Sequence, residues 1–122
     1  MRTVLYGVTP QMRIYHEESF GPLATIVIVS NAEEALRVAN DTQYGLSSAV
    51  FSRDASQAMK LAERLETGFC HINGATVHHE PQLPFGSVKD SAWGRFGGKA
   101  ALEEFKELRW ISIRGTPTRY PI

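Results

Sequence analysis

Two adjacent carboxylates, Glu17 and Glu18, stand directly before Ser19-Phe20-Gly21-Pro22. An ionised carboxylate only accepts hydrogen bonds, so either one suits a pair of hydroxyl donors, such as the diol of a ribose. The plainer reading is a solvated turn, since exposed acids are the rule. Cys70 and His71 are neighbours, which raises a nucleophile-and-base pairing. Successive strand residues point to opposite faces, however, and Cys70 reads better as a small apolar packing residue. His78-His79-Glu80, with His71 and His16, could suggest a metal site. The spacing lacks the i, i+4 pair that places two ligands on one helical face, and no thiolate pair supports it. We therefore expect no metal. His78 and His79 are better candidates for the lining of a pocket. Gly94-Arg95-Phe96-Gly97-Gly98 fits neither the dinucleotide fingerprint nor the P-loop, so its glycines are read as backbone geometry.

These residues need elements to hold them. Leu23 to Val29 is β-branched and apolar on both faces, as expected of a central strand covered on both sides. Thr3 to Tyr6 and Met12 to Tyr15 read as short strands before it. Asn31 with Glu34 resembles a capping box opening a helix whose inner face is Ala32, Ala35, Leu36 and Ala39. Leu46 to Phe51 reads as the next strand. Asp54 caps a second helix through Leu65, with Gly68 at the left-handed position after its end. Phe69 to Ile72 is another strand. Strand, helix, strand, helix, strand predicts an α/β fold with a mostly parallel sheet and flanking helices. Asn73 to Gly98 has no periodicity, and long loops of this kind tend to be functional. Lys99 to Leu108 reads as a third helix with Ala101, Leu102, Phe105 and Leu108 inward. Arg109 to Arg114 alternates like a strand that pairs outside the domain, and the tail carries Pro117 and Pro121.

The 122 residues fit one domain, are 43% hydrophobic and 21% charged, and carry no net charge. Nothing in that balance favours capture of nucleic acid or of an anionic membrane. The longest apolar run is too short to span a bilayer, and Met1 to Tyr6 lack the apolar length expected of a secretory signal. One cysteine excludes an internal disulfide framework. A cytoplasmic protein is the simplest expectation.

Four motifs together carry a resemblance. Glu17-Glu18-Ser19-Phe20-Gly21-Pro22 is followed in one register by Asn40-Asp41-Thr42-Gln43-Tyr44-Gly45-Leu46, by Phe69-Cys70-His71-Ile72-Asn73-Gly74, and by Pro84-Phe85-Gly86-Ser87-Val88-Lys89-Asp90-Ser91-Ala92-Trp93-Gly94-Arg95. In this order they resemble the C-terminal part of an NAD(P)-dependent aldehyde dehydrogenase. The wording from Cys70 to Pro84 is most similar to the branch acting on aromatic aldehydes such as vanillin or salicylaldehyde. The resemblance implies that residues 1–108 are part of the catalytic domain and that residues 109–122 form an oligomerisation strand and tail. It implies that Glu18 binds the nicotinamide ribose hydroxyls, with Phe20 beside the nicotinamide. It implies that Asn73 to Phe85 borders the aldehyde tunnel, with Phe85 the foremost candidate beside His78 and His79. Ser87 and Ala92 depart from the family pattern, which has Gly at both, and this puts the loop geometry in question.

The family's catalytic Cys, general-base Glu and Rossmann domain lie upstream of these motifs, and Cys70 does not match that Cys. NAD or NADP is therefore expected in a parent enzyme and not on this chain alone, which should be inactive. Self-association to a dimer or higher is expected. The rival reading, from another class, is a stand-alone binding or interaction module derived from the enzyme fold, or a piece that assembles in trans.

Overall fold

Thr3-Val4-Leu5-Tyr6 is β-prone and is stopped by Gly7, which adopts a φ of 72°. It forms β1 (Thr3–Tyr6), in a computed structural model that describes residues 2–116. Pro117 and Pro121 lie outside the described residues. Met12 to Tyr15, expected as a strand, is instead largely a one-turn helix, α1 (Arg13–His16). Four alternating residues cannot distinguish the two periods. Two features favour the helix: the Met12 N–H bonds the Thr9 carbonyl at 3.0 Å, and Arg13 forks onto Glu17 one turn later.

β2 (Leu23–Ile26) runs parallel to β1, with Thr3 opposite Leu23 and Tyr6 opposite Ile26. The expectation of a buried central strand from Leu23 to Val29 is corrected here. The strand ends at Ile26, and Val4, Tyr6, Ile26 and Ile28 are exposed. Its apolar faces are those of a covered strand, and the described residues do not supply the cover.

α2 (Ala32–Asn40) starts as its sequence dictates. The Asn31 side chain accepts the Glu34 N–H at 2.9 Å, and the Glu34 carboxylate accepts the Ser30 N–H at 2.8 Å. That second bond holds the Glu34 carboxyl below the ordinary carboxylate range. Leu36 is buried beneath the helix, with Ala32 and Ala35 half-buried, while Ala39 is exposed. β3 (Tyr44–Gly45) and β4 (Ser47–Val50) follow. α3 (Ala55–Ala62) is capped by Asp54, which accepts the Gln57 N–H at 3.0 Å, and it buries Ala58 completely. β5 (Phe69–Ile72) returns parallel to β4, with Ser47 opposite Phe69 and Val50 opposite Ile72. This is the parallel strand–helix–strand unit the sequence predicts.

The loop after β5 is not structureless. It contains β6 (Phe85–Gly86), β7 (Val88–Lys89) and β8 (Arg95–Phe96). β7 lies antiparallel on β3, and β6 antiparallel on β8. The sheet is therefore four two-stranded pieces, with the two longer pairs parallel and the two shorter ones antiparallel. The expectation of one mostly parallel sheet holds only for the longer pairs.

α4 (Gly98–Glu104) ends before the predicted Leu108, and Leu102, Phe105 and Leu108 face outward rather than inward. Its start is fixed by close approach: a side chain on Gly97 or Gly98 would overlap the Leu83 and Gln82 carbonyls. Arg109 to Arg114 forms no strand in the single chain, and Trp110, Ile111 and Ile113 are exposed. A strand is defined by its ladder, and no described strand lies beside this segment to form one.

Gly68 is required for a reason other than the one the sequence suggested. Its φ is not in the left-handed region, and α3 has already ended. A methyl group there would overlap the Gly86 carbonyl, where β5 passes β6. Gly68→Ala is expected to lower stability by about 1–3 kcal/mol or to abolish folding. Gly115→Ala, with nothing near its added carbon, is the control. Urea unfolding followed by circular dichroism compares the two, and equal midpoints would contradict the packing described.

Candidate functional site: a carboxylate-lipped cleft beside an aromatic pocket

The acidic lip is held over a cleft by α1. Tyr15 donates its hydroxyl to Asp41 Oδ2 at 2.9 Å, tying the helix to the end of α2. Burial, and then that hydrogen bond, push the Tyr15 phenol above its ordinary range. The two carboxylates then differ. Glu17 takes both arms of Arg13, at 2.7 and 2.8 Å, which hold its carboxyl below the usual range. Glu18 makes no hydrogen bond or ion pair among the described residues. It lies at the lip of a cleft of about 560 Å³ whose other walls include Thr42, Tyr44, Leu46, Thr67, Asp90 and Ser91. Phe20 is 95% exposed, so its ring stands clear of the body.

The walls of that cleft are joined by their own bonds. Ser91 Oγ accepts the Gly45 N–H at 2.8 Å, and the Asp90 N–H bonds the Gln43 carbonyl at 2.9 Å. Ser48 and Thr67 share a 2.7 Å hydroxyl contact. Lys89, at a left-handed φ of 53°, donates to the carbonyls of Asn40 at 2.7 Å and Thr42 at 3.0 Å. The same ammonium pairs with Glu66 at 2.7 Å. One side chain thus ties α2, the turn before β5, and β7 into one wall. Ser87 and Ala92, where loop geometry was in question, are both outside the positive-φ set. Ser87 is buried at 3% exposure and donates to the Ala92 carbonyl at 3.1 Å, so the extra side chain closes the loop rather than straining it.

The second site is aromatic. Asn73, at φ 55°, turns the chain out of β5 and exchanges two side-chain bonds with the Ser52 backbone, at 2.9 and 3.0 Å. The loop then folds back so that His79 stands edge-on to Phe85 at 4.8 Å, and Phe85 lies 5.1 Å from Phe69 and 5.0 Å from Phe96. His71 is edge-on to Phe69 at 5.6 Å and to His78 at 5.7 Å. The rings of Phe69, His71, His78, His79 and Phe85 border a small pocket of about 60 Å³. His78, His79 and Phe85, singled out in the sequence, therefore come together. Phe69 and His71 were not assigned to a pocket. The signal was present in the period of two along β5, which puts these two on one face and Cys70 on the other. Cys70 Sγ is half-buried and reaches only the His71 carbonyl, at 3.9 Å. Among the described residues, no group of three or more His, Cys, Asp or Glu side chains is arranged to hold a metal, and no helix is long and apolar enough to cross a membrane.

A parallel strand–helix–strand unit, a cleft with a carboxylate at its lip and a separate aromatic pocket walled by the Pro84-Phe85 loop are the features set against known proteins. The profile of the aldehyde dehydrogenase family matches residues 2–111, and the chain belongs to that family. It is 56% identical over 119 residues to a vanillin dehydrogenase of Pseudomonas sp. (strain HR199 / DSM 7063), matching over 98% of this chain and 25% of that protein. It superposes on the crystal structure of a salicylaldehyde dehydrogenase from Pseudomonas putida G7 complexed with salicylaldehyde, with a TM-score of 0.88 and 44% identity over 98% of this chain and 25% of that one. A Mycobacterium tuberculosis aldehyde dehydrogenase complexed with NAD+ matches at a TM-score of 0.78 and 35% identity, over 84% of this chain and 21% of that one. The chain thus spans about a quarter of the length of the relatives it matches most fully.

Proposed function

We propose that this chain supplies the nicotinamide-ribose contact and one wall of the aldehyde pocket in an NAD(P)-dependent oxidoreductase that converts an aromatic aldehyde to its carboxylic acid. The observation that carries the reading is Glu18. It lines a cleft in which Ser48 and Thr67 engage each other and Ser91 accepts the Gly45 N–H, while it keeps its own acceptor oxygens unused. An ionised carboxylate so placed fits the vicinal hydroxyls of a ribose, each of which donates one bond. Phe20, projecting from the same lip, offers a flat apolar face to a nicotinamide. When bound, the dinucleotide supplies the hydride acceptor.

Phe85, His78 and His79 form the aldehyde side. An electron-rich ring packs on such edge-on rings, and an apolar wall excludes water from the reacting carbonyl. The names of the relatives, vanillin and salicylaldehyde dehydrogenase, favour a benzaldehyde-type substrate over an aliphatic one. A thiolate for attack on the carbonyl comes from outside this chain, because Cys70 points away from the aromatic pocket on the other face of β5. Further parts of the reading are a cytoplasmic setting and pairing of Arg109 to Arg114 with a second protomer.

The experiment joins this chain to the upstream three-quarters of the Pseudomonas vanillin dehydrogenase and follows reduction of NAD with aromatic aldehydes. Turnover well above that of the upstream part alone is expected. A folded chimera that oxidises none of them would refute the proposal.

A further inference from the structure

His71 Nε2 is the one buried side-chain nitrogen or oxygen without a hydrogen-bond partner among the described residues. Such an atom calls for an explanation, because a desolvated polar group left unpaired is costly. Its surroundings are otherwise apolar or already engaged. Phe69 and His78 present ring edges to it, and His78 Nε2 reaches Glu80 at 3.3 Å. His71 is also a wall of the 60 Å³ pocket, with Phe69, His78, His79, Leu83 and Phe85. That volume exceeds what a single water needs but falls well short of the ~150 Å³ that admits a whole benzene ring. The pocket therefore takes a ring substituent, with the ring itself outside against Phe85.

We infer that His71 determines specificity by hydrogen-bonding a hydroxyl group carried on the ring of the aromatic substrate, a phenolic aldehyde rather than an unsubstituted one. The inference rests on the function proposed above and deepens it. A hydroxyl both donates and accepts, so it satisfies Nε2 in either imidazole tautomer, whereas a methyl group or a hydrogen satisfies neither. Nε2 is shielded in the chain as it stands, and His78, on an exposed loop, is the neighbour that moves to admit the hydroxyl.

The test uses the full chain labelled with ¹⁵N-histidine, titrated with phenol and, separately, with toluene. Phenol should shift the His71 Nε2 resonance saturably and toluene should not. His71→Phe should weaken phenol about fivefold, towards the toluene value. A His71 resonance that ignores phenol, or that moves equally with toluene, overturns the inference without needing the variant to fold. In the chimera, His71→Phe should lower kcat/KM for the phenolic aldehyde by a larger factor than for benzaldehyde, so that the phenolic preference shrinks. Benzaldehyde turnover with the phenolic preference intact overturns this inference alone. Failure to oxidise either aldehyde overturns the reading on which it rests.

Discussion

The purified 122-residue chain is expected to oxidise no aromatic aldehyde with NAD, at any substrate concentration. The reaction needs a thiolate to form the carbonyl adduct, a bound dinucleotide to take the hydride, and a base to activate water for release of the acid. Within the chain the sole thiol is Cys70, which contacts the His71 carbonyl from the face of β5 away from the pocket rings. On the function proposed above, Glu18 and Phe20 would supply only one end of a cofactor site. The glycines of the segment from Gly86 to Gly98 are committed to packing, with Gly86 and Gly97 pressed against neighbouring backbone. No cradle for a pyrophosphate is built from them. Omitting the nucleophile alone costs many orders of magnitude in rate, because oriented groups act as a unit. Stopped assays at high protein concentration, with the chimera as positive control, check this. Steady NADH production that scales with the isolated chain and is abolished by Cys70→Ala would contradict it.

The chain is also expected to self-associate at micromolar concentration. It exposes 10356 Å² of accessible surface, against about 6,600 Å² for a compact monomer of this size. The excess is larger than the surface a standard protein–protein interface buries. It is also the kind of surface that drives association. Val4, Leu5 and Tyr6 of β1 are exposed, and so are Ile26 and Ile28 on and beyond β2. Phe105, Leu108, Trp110, Ile111 and Ile113 are bare as well, along the C-terminal segment. Large exposed apolar side chains in such number are the kind of surface that marks interfaces on soluble proteins. Arg109 to Arg114 joins no strand ladder among the described residues, and its alternating pattern suits an added strand. Sedimentation velocity should give dimers or larger species, and replacing Trp110 and Ile113 with Ser should shift the distribution towards monomer. A sharp monomer peak at high concentration would count against an exposed interface.

What the sequence made legible was local. Asn31 and Asp54 cap their helices as their side chains dictate, because a cap is decided within four residues. The unit from Ser47 to Ile72 follows from its alternating periods. Burial was not legible in the same way. Leu23 to Val29 has the composition of a central strand, and the chain leaves it on a bare two-stranded piece. Leu102, Phe105 and Leu108 have a helix's inner spacing and face outward. Composition records the surface a segment evolved to meet, and these segments meet nothing within the described residues. The candidate site divides along the same line. Glu18 was marked by its motif, but its difference from Glu17 became visible only with Arg13 in place. His78, His79 and Phe85 were named from sequence, and their meeting with His71 depends on the turn at Asn73. A positive φ at an asparagine leaves no periodic trace.

Glu18 is the residue on which the whole account turns. In the chimera, Glu18→Gln preserves the shape and one acceptor oxygen but removes the charge that strengthens bonds from two ribose hydroxyls. The KM for NAD is expected to rise about tenfold or more, with the KM for the aldehyde little changed. Glu17→Gln, which loses only an exposed pair with Arg13, should leave both constants near the parent values. A Glu18→Gln chimera with an unaltered KM for NAD would contradict the assignment of this cleft to the cofactor.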